Sequence, residues 1–553
     1  MVDSISAVAV RSQRSKLPSV WTIATAILIG LLLTPVLAVF VAAAGDSGEL
    51  WQHLLETVLP RYVANTLTLM AGVGAVSLLF GVPTAWIVTH FRFPGCRIID
   101  WMLLLPAAVP AYLVAYTYTD FLEYAGPIQG MIRDYFGWRS ARDYWFPEIR
   151  STEGAILIMG SVLYPYVYLM ARTAFLLTPA SLYEIGMVSG RNLFWSVGLP
   201  LARPAIVAGL ALVLMEVVSD FGTVEYFAIE TLTLGIFNVW LGMNSLPAAA
   251  QIASLSFLFI IILLSIELIA RSRRRYMDTT RRSNVLVARS TRGWASACCV
   301  IICIVPVLIG FVIPVGVLIS FVLRGYSLDL NEAVVAAAFN AFVLAATVAL
   351  FVMAVASFLA VVSTYKGGPA VRRAAALASI GYAFPGTILA IGVVTASGYI
   401  DAGISQLVAF LSGTANQGWL SGSLALVILA CVVRFQAIGY GAMTSGIARI
   451  SPSIMQASRT LGRSFGSSLK EVILPLLTKS LIAGGLLVFV DVLKELPMTL
   501  LLRPFNYETL ATYVYQFAKD ELLEEAALPA LMIVATGILP VIIMNAALRM
   551  LTR

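Results

Sequence analysis

Four acids stand inside otherwise apolar stretches of this 553-residue sequence, in two pairs of equal spacing: Glu216 with Asp220, and Asp491 with Glu495. At i and i+4 on a helix, the members of each pair share a face. A charged acid near the centre of a bilayer costs on the order of 2.5–3.5 kcal/mol on insertion scales, so four would cost roughly 10–14 kcal/mol. Pairing across an interface, protonation or a passing cation could offset that cost, and hard oxygen ligands suit a hard metal cation. Structural duties compete for the same groups. Lys494 follows Asp491 by three residues, within reach on one helix, and helix breaks expected near Gly222 and Pro497 need caps. The two readings are compatible.

Each pair lies downstream of a polar, basic loop. Pro200 precedes Glu216 by sixteen residues and Asp220 by twenty, and Pro475 precedes Asp491 and Glu495 by the same intervals. The loops read SLYEIGMVSGRNLFWSVGLPLARP and SPSIMQASRTLGRSFGSSLKEVILPLL. Capping residues, a glycine and a proline predict a short helix, a turn and the start of the next helix. Such a knob lying along the membrane could fit a groove on a cytoplasmic partner.

The loops belong to a longer repeat. Asn340 follows Asn65, Pro385 follows Pro110 and Pro475 follows Pro200, each by 275 residues, whereas Gly462 follows Gly190 by 272. The first loop is therefore three residues short. Two copies in one orientation imply a pseudo-twofold axis along the membrane normal, with a pathway at the interface.

With 60% apolar and 12% charged residues, the chain is no ordinary soluble globular protein. The expected fold is an all-α integral membrane protein of about twelve transmembrane helices in two homologous six-helix halves. Residues 1–270 form the first repeat, 271–293 a basic cytoplasmic linker and 294–553 the second repeat. Spans are expected from about Val20 to Ala44 and at 65–89, 99–121, 153–178, 201–226 and 251–270, then at 294–322, 335–364, 373–398, 422–445, 477–501 and 527–548. The first run is longer than a signal-peptide core, which favours an uncleaved span after a cytoplasmic N-terminus.

Arg92, Arg97, Arg191 and Arg203 place their loops in the cytoplasm. The linker carries eight arginines and one acid, fitting a connector that pins topology and touches anionic membrane lipid. Positive-inside topology accounts for the net charge of +7 more simply than nucleic-acid binding does. The aromatic, arginine-bearing segment Glu123 to Glu153 reads as an external surface cap. The five cysteines lack any CxxC or Cys/His pattern and read as buried apolar packing. No phosphate loop and no HExxH or GxSxG motif occurs, so neither ATP binding by that route nor membrane-enzyme chemistry is indicated.

The two loops resemble the EAA motif of ABC importer permeases: Glu-Ala-Ala, three residues, Gly, nine residues, Ile, one residue, Leu-Pro. The second loop fits the spacing with Gln456, Ala457, Ser458, Gly462, Leu474 and Pro475, with Val472 or Ile473 near the aliphatic position, and departs at Gln456, where the motif has Glu. The first matches with Glu184, Gly190, Leu199 and Pro200, and departs at Ile185, Gly186 and in length. Ser219 to Tyr226 (SDFGTVEY), Lys494 to Pro497 (KELP) and Leu502 to Asn506 (LRPFN) look like the fused two-domain permeases of bacterial ferric iron importers.

The resemblance implies a type I importer permease fold. It implies two ATP-binding cassette ATPase subunits docking on Glu184, Gly190, Arg191 and Pro200 and on Gln456, Ala457, Gly462, Arg463 and Pro475. It also implies a periplasmic ferric iron-binding protein, ATP and Mg on the ATPases with no cofactor on this chain, and a bacterial inner-membrane location with both termini cytoplasmic. Glu216, Asp220, Asp491 and Glu495 would be transient metal contacts along the path. Related permeases carry thiamine, polyamines or phosphonates, and an ion-coupled secondary transporter using the acids for protons is the alternative from another class.

Overall fold

The computed structural model describes residues 20–272, 288–325, 331–379, 381–412 and 419–551. The described chain is almost wholly helical. Its long helices are α1 (Val20–Ala43), α2 (Leu59–His90), α3 (Thr152–Leu177), α4 (Leu199–Ser219), α5 (Leu246–Ser272), α6 (Trp294–Leu323), α7 (Glu332–Tyr365), α8 (Gly386–Ser412), α9 (Leu424–Ile447), α10 (Leu474–Leu493) and α11 (Ala527–Leu551).

Among the described residues ten helices are long and apolar enough to cross a membrane, or eleven if one bent pair counts as a span. This agrees with the expectation of about twelve, since each expected range is met by a long helix or by the bent pair, and proline decides where two of them break. The anticipated span 99–121 is broken at Pro110, where Cys96–Ala108 and Ala111–Phe136 meet at 93°. Pro110 is extended (φ −60°, ψ 140°) and caps the next helix, as expected of a residue that cannot donate into a continuing helix. The anticipated span 373–398 is redrawn at Pro385: a short helix Pro369–Ala378 and a turn at Gly381–Ala383 precede α8. Helix α11, Ala527–Leu551, stands where the last span was expected. Hydrophobicity averaged over a span-length window did not register these breaks, because apolar residues flank both Pro110 and Pro385 directly.

The two parts of the chain interleave. Helix α1 packs against α8, while α6 reaches the Ala111–Leu122 segment and α11 packs on the turn Leu105–Ala108. Helices in lipid gain little from apolar contact alone, so close backbone approach through small residues carries much of such packing. A Cβ on Gly392 of α8 would lie 2.0 Å from the Pro35 carbonyl oxygen of α1, and one on Gly537 of α11 would lie 2.1 Å from that of Ala108. Backbone cannot yield as a flexible side chain can. Gly392→Ala is therefore expected to cost about 1–3 kcal/mol through overpacking, read as a shorter half-life of folded protein on heating in detergent; unchanged stability would mean that α1 moves aside freely.

The external segment contains the helix Pro127–Phe136, followed by a stack of Phe136, Trp138 and Tyr144 with ring centroids 4.7 and 4.9 Å apart. Arg150 ties it down through Glu123 and through Glu521 at 2.9 Å. Most of the linker, 273–287, lies outside the described residues, as does the expected cytoplasmic N-terminal segment before Val20. At its end Arg289–Ser290 pairs in parallel with Phe91–Arg92 below α2. Cys96, Cys303 and Cys431 are buried, but Cys298 is exposed on α6, which corrects the expectation for that residue.

Candidate functional site

A cavity of about 170 Å³ opens where α4 and α10 end. Its walls are built from residues 275 apart in sequence: Ala107 and Tyr382, Met159 and Arg434, Glu216 and Asp491, Asp220 and Glu495. All four acids singled out from the sequence reach this one space.

The acids do different work there. Helix α4 stops at Ser219, leaving Asp220 extended. Its carboxylate accepts bonds from the Thr223 N–H at 3.0 Å, the Val224 N–H at 3.2 Å and the Thr223 hydroxyl at 3.1 Å. Glu495 does the same after α10, accepting from the Met498 and Thr499 N–H groups and the Thr499 hydroxyl, each at 3.0 Å. Both carboxylates thus cap the short helices Gly222–Tyr226 and Pro497–Leu502, satisfying donors that the break would orphan. The breaks are near Gly222 and Pro497, as the residues there suggested. The idea that each pair shares one helical face is corrected, because Asp220 and Glu495 lie just beyond the ends of their helices.

Asp491 pairs with Lys494 at 3.2 Å. Among the described residues Glu216 carries no hydrogen bond or ion pair. Nor does any group of three or more His, Cys, Asp or Glu converge there as a metal-holding set. The four acids line the cavity without forming a ready-made ligand cage, since two of them spend their oxygens on backbone donors.

Arg434 is the residue that sequence reasoning missed. It sits in α9 with Nη1 3.7 Å from Glu495 Oε1. An arginine in the middle of the apolar span 422–445 was the available signal, since an intramembrane charge is by default functional. Tyr112, Tyr166 and Tyr382 also line the cavity; their types are unremarkable in sequence, and only folding places them.

The two polar loops share one construction. The helices Ala180–Val188 and Pro452–Thr460 each end in a glycine with positive φ, Gly190 at 62° and Gly462 at 84°. The Arg191 N–H then reaches back to the Gly186 carbonyl, and the Arg463 N–H to that of Ser458, the crossing pattern that closes helix C-termini. The three-residue difference is one helical turn. After Gly462, Ser464 caps the turn Phe465–Ser468 before the wide turn Leu469–Ile473; after Gly190, Asn192 leads straight into the equivalent turn Phe194–Gly198.

Removing about one turn keeps the following helix in nearly the same phase. Glu184, Gly190 and Arg191 in the first loop and Gln456, Ala457, Gly462 and Arg463 in the second are exposed, Pro475 is exposed and Pro200 half-buried. Arg463 pairs with Glu471 across its loop. The first loop also presents Ile185, Met187, Val188 and Trp195 to the outside, an apolar surface of the sort that docks partners.

A helical, multi-pass chain with an internal charged cavity is the architecture of a membrane transport permease. No family model matches the chain. It is 24% identical over 544 residues to the Fe(3+)-transport system permease protein FbpB 2 of Haemophilus influenzae, covering 96% of this chain and 98% of that one. The putative ferric transport system permease protein FbpB 1 of the same organism is 21% identical over 495 residues, 83% of this chain and 73% of the relative. A putative 2-aminoethylphosphonate transport system permease protein PhnU of Salmonella choleraesuis is 24% identical over 272 residues, 46% of this chain and 93% of its own. Along nearly its whole length the chain is thus similar to a double-length transport-system permease, and its multi-pass helical fold agrees with that likeness.

Proposed function

We propose that this chain is the translocation subunit of an ATP-driven importer, passing ferric iron from an extracytoplasmic binding protein through the carboxylate-lined cavity. The observation that carries the cargo is that cavity, in a chain whose relative along nearly its whole length is an Fe(3+)-transport permease. Oxygen donors suit a hard trivalent ion, and transient passage needs contacts that are loose enough to release it.

Two ATP-binding cassette subunits would dock, one on each polar loop, with ATP and Mg held there and no cofactor on this chain. The exposed apolar residues of the first loop and the shared construction of both favour that assignment. Nucleotide can drive the cycle only by binding the inward and outward states with different affinity. The location would be a bacterial inner membrane with both termini in the cytoplasm, the two repeats meeting at the cavity.

A phosphonate or another oxyanion is the second reading, favoured by Arg434 and Lys494 in the cavity and by the phosphonate-permease relative. Uptake of radioactive iron into proteoliposomes holding the full complex separates the two. Iron accumulation that needs ATP and binding protein, and that excess 2-aminoethylphosphonate leaves unchanged, is the expected result. Phosphonate uptake without iron uptake would overturn the assignment.

A further inference from the structure

The geometry points to Arg434 as a tethered counter-cation: in the absence of cargo its guanidinium stands in for the cation among the cavity carboxylates, and cargo displaces it in passing. This rests on the cation reading of the cavity and adds a residue that regulates occupancy.

Four observations carry it. First, Arg434 is only 8% exposed yet borders the cavity. Second, it is poorly held. Nη1 is 3.7 Å from Glu495, beyond hydrogen-bond range, and its buried Nε and Nη1 have no hydrogen-bond partner among the described residues. Arg172 leaves the same two nitrogens without a partner, but its Nη2 donates to Asp100 Oδ2 at 2.7 Å, a direct contact that Arg434 lacks with Glu495. Third, space is kept for the group: a Cβ on Gly386 would lie 2.6 Å from Arg434 Nη1. Fourth, the charge is one-sided, because the residue 275 positions earlier is Met159, which lines the same cavity.

Arginine cannot shed its proton to adapt to burial. Glu495 already accepts three bonds, so the guanidinium balances the cavity's negative field without being locked to one acid. An arriving trivalent ion must share that field with a fixed positive group. Its binding is thereby weakened, which favours release over trapping. Lys494 cannot substitute, being committed to Asp491 at 3.2 Å.

The test uses the full chain in lipid nanodiscs with Tb³⁺ as a hard trivalent probe, read by emission sensitised through the cavity tyrosines. Arg434→Gln is expected to tighten Tb³⁺ binding roughly tenfold, as loss of one nearby like charge should, and to slow iron turnover in the reconstituted complex. Arg434→Lys, keeping the charge, should stay near wild type. Met159→Arg, adding a second counter-cation, should weaken binding by a similar factor and serves if Arg434→Gln does not fold. A purely structural arginine would give equal or weaker Tb³⁺ binding in Arg434→Gln, and unchanged affinity in Met159→Arg would equally overturn the proposal. If wild type binds Tb³⁺ and these shifts are missing, this inference alone fails. If neither wild type nor Arg434→Gln binds Tb³⁺, the cation reading of the cavity falls with it.

Discussion

Glu495→Ala is expected to destabilise the folded chain by about 3–5 kcal/mol, the range for breaking a buried ion pair from one side. The carboxylate caps Pro497–Leu502 through three bonds and is the acid nearest Arg434, and both side chains are buried. Truncation strands two backbone donors and removes the carboxylate nearest a buried guanidinium, leaving it only the more distant acids of the cavity. Asp220→Ala removes the same kind of cap at the matched place, but Met159 stands there instead of an arginine. Its cost should stay near the capping range of about 0.5–2 kcal/mol. The half-life of folded, monodisperse protein on heating in detergent compares the two, and the double variant Glu495→Ala/Arg434→Met should recover much of the loss. Equal instability of the two single variants would show that capping alone matters.

The second large effect concerns transport. Glu216 and Asp491 do not cap; Glu216 carries no hydrogen bond or ion pair among the described residues and Asp491 has only the partly exposed Lys494, so these two keep carboxylate oxygens for cargo. Glu216→Gln combined with Asp491→Asn should lower ATP-dependent iron uptake by about tenfold to a hundredfold, each tenfold corresponding to about 1.4 kcal/mol. Folding should be nearly unaffected, because the Asp491–Lys494 pair is partly exposed and such pairs contribute about 0–1 kcal/mol. Normal membrane levels with uptake at the wild-type rate would remove both acids from the path.

Much of this was legible in the residues. Apolar runs too long and too many for a soluble protein define a helical membrane chain, because an unpaired backbone cannot cross lipid. The acids announced one site because charge in an apolar run is costly, and the glycines and prolines of the polar loops announced helix, turn and helix. Proline also marked where spans break, although hydropathy carried straight across Pro110 and Pro385.

What only the tertiary structure decided is the division of labour within the cavity. Glu216, Asp220, Asp491 and Glu495 look alike in sequence, two acids on each of two apolar helices. Their roles diverge because α4 and α10 end at Ser219 and Leu493, turning one acid of each pair into a cap. Arg434 lies 61 residues before Glu495 in the chain and comes beside it only when α9 packs near the end of α10. The pattern along one helix reports which face is apolar, but which charges share a space depends on helices that meet through close packing and backbone breaks.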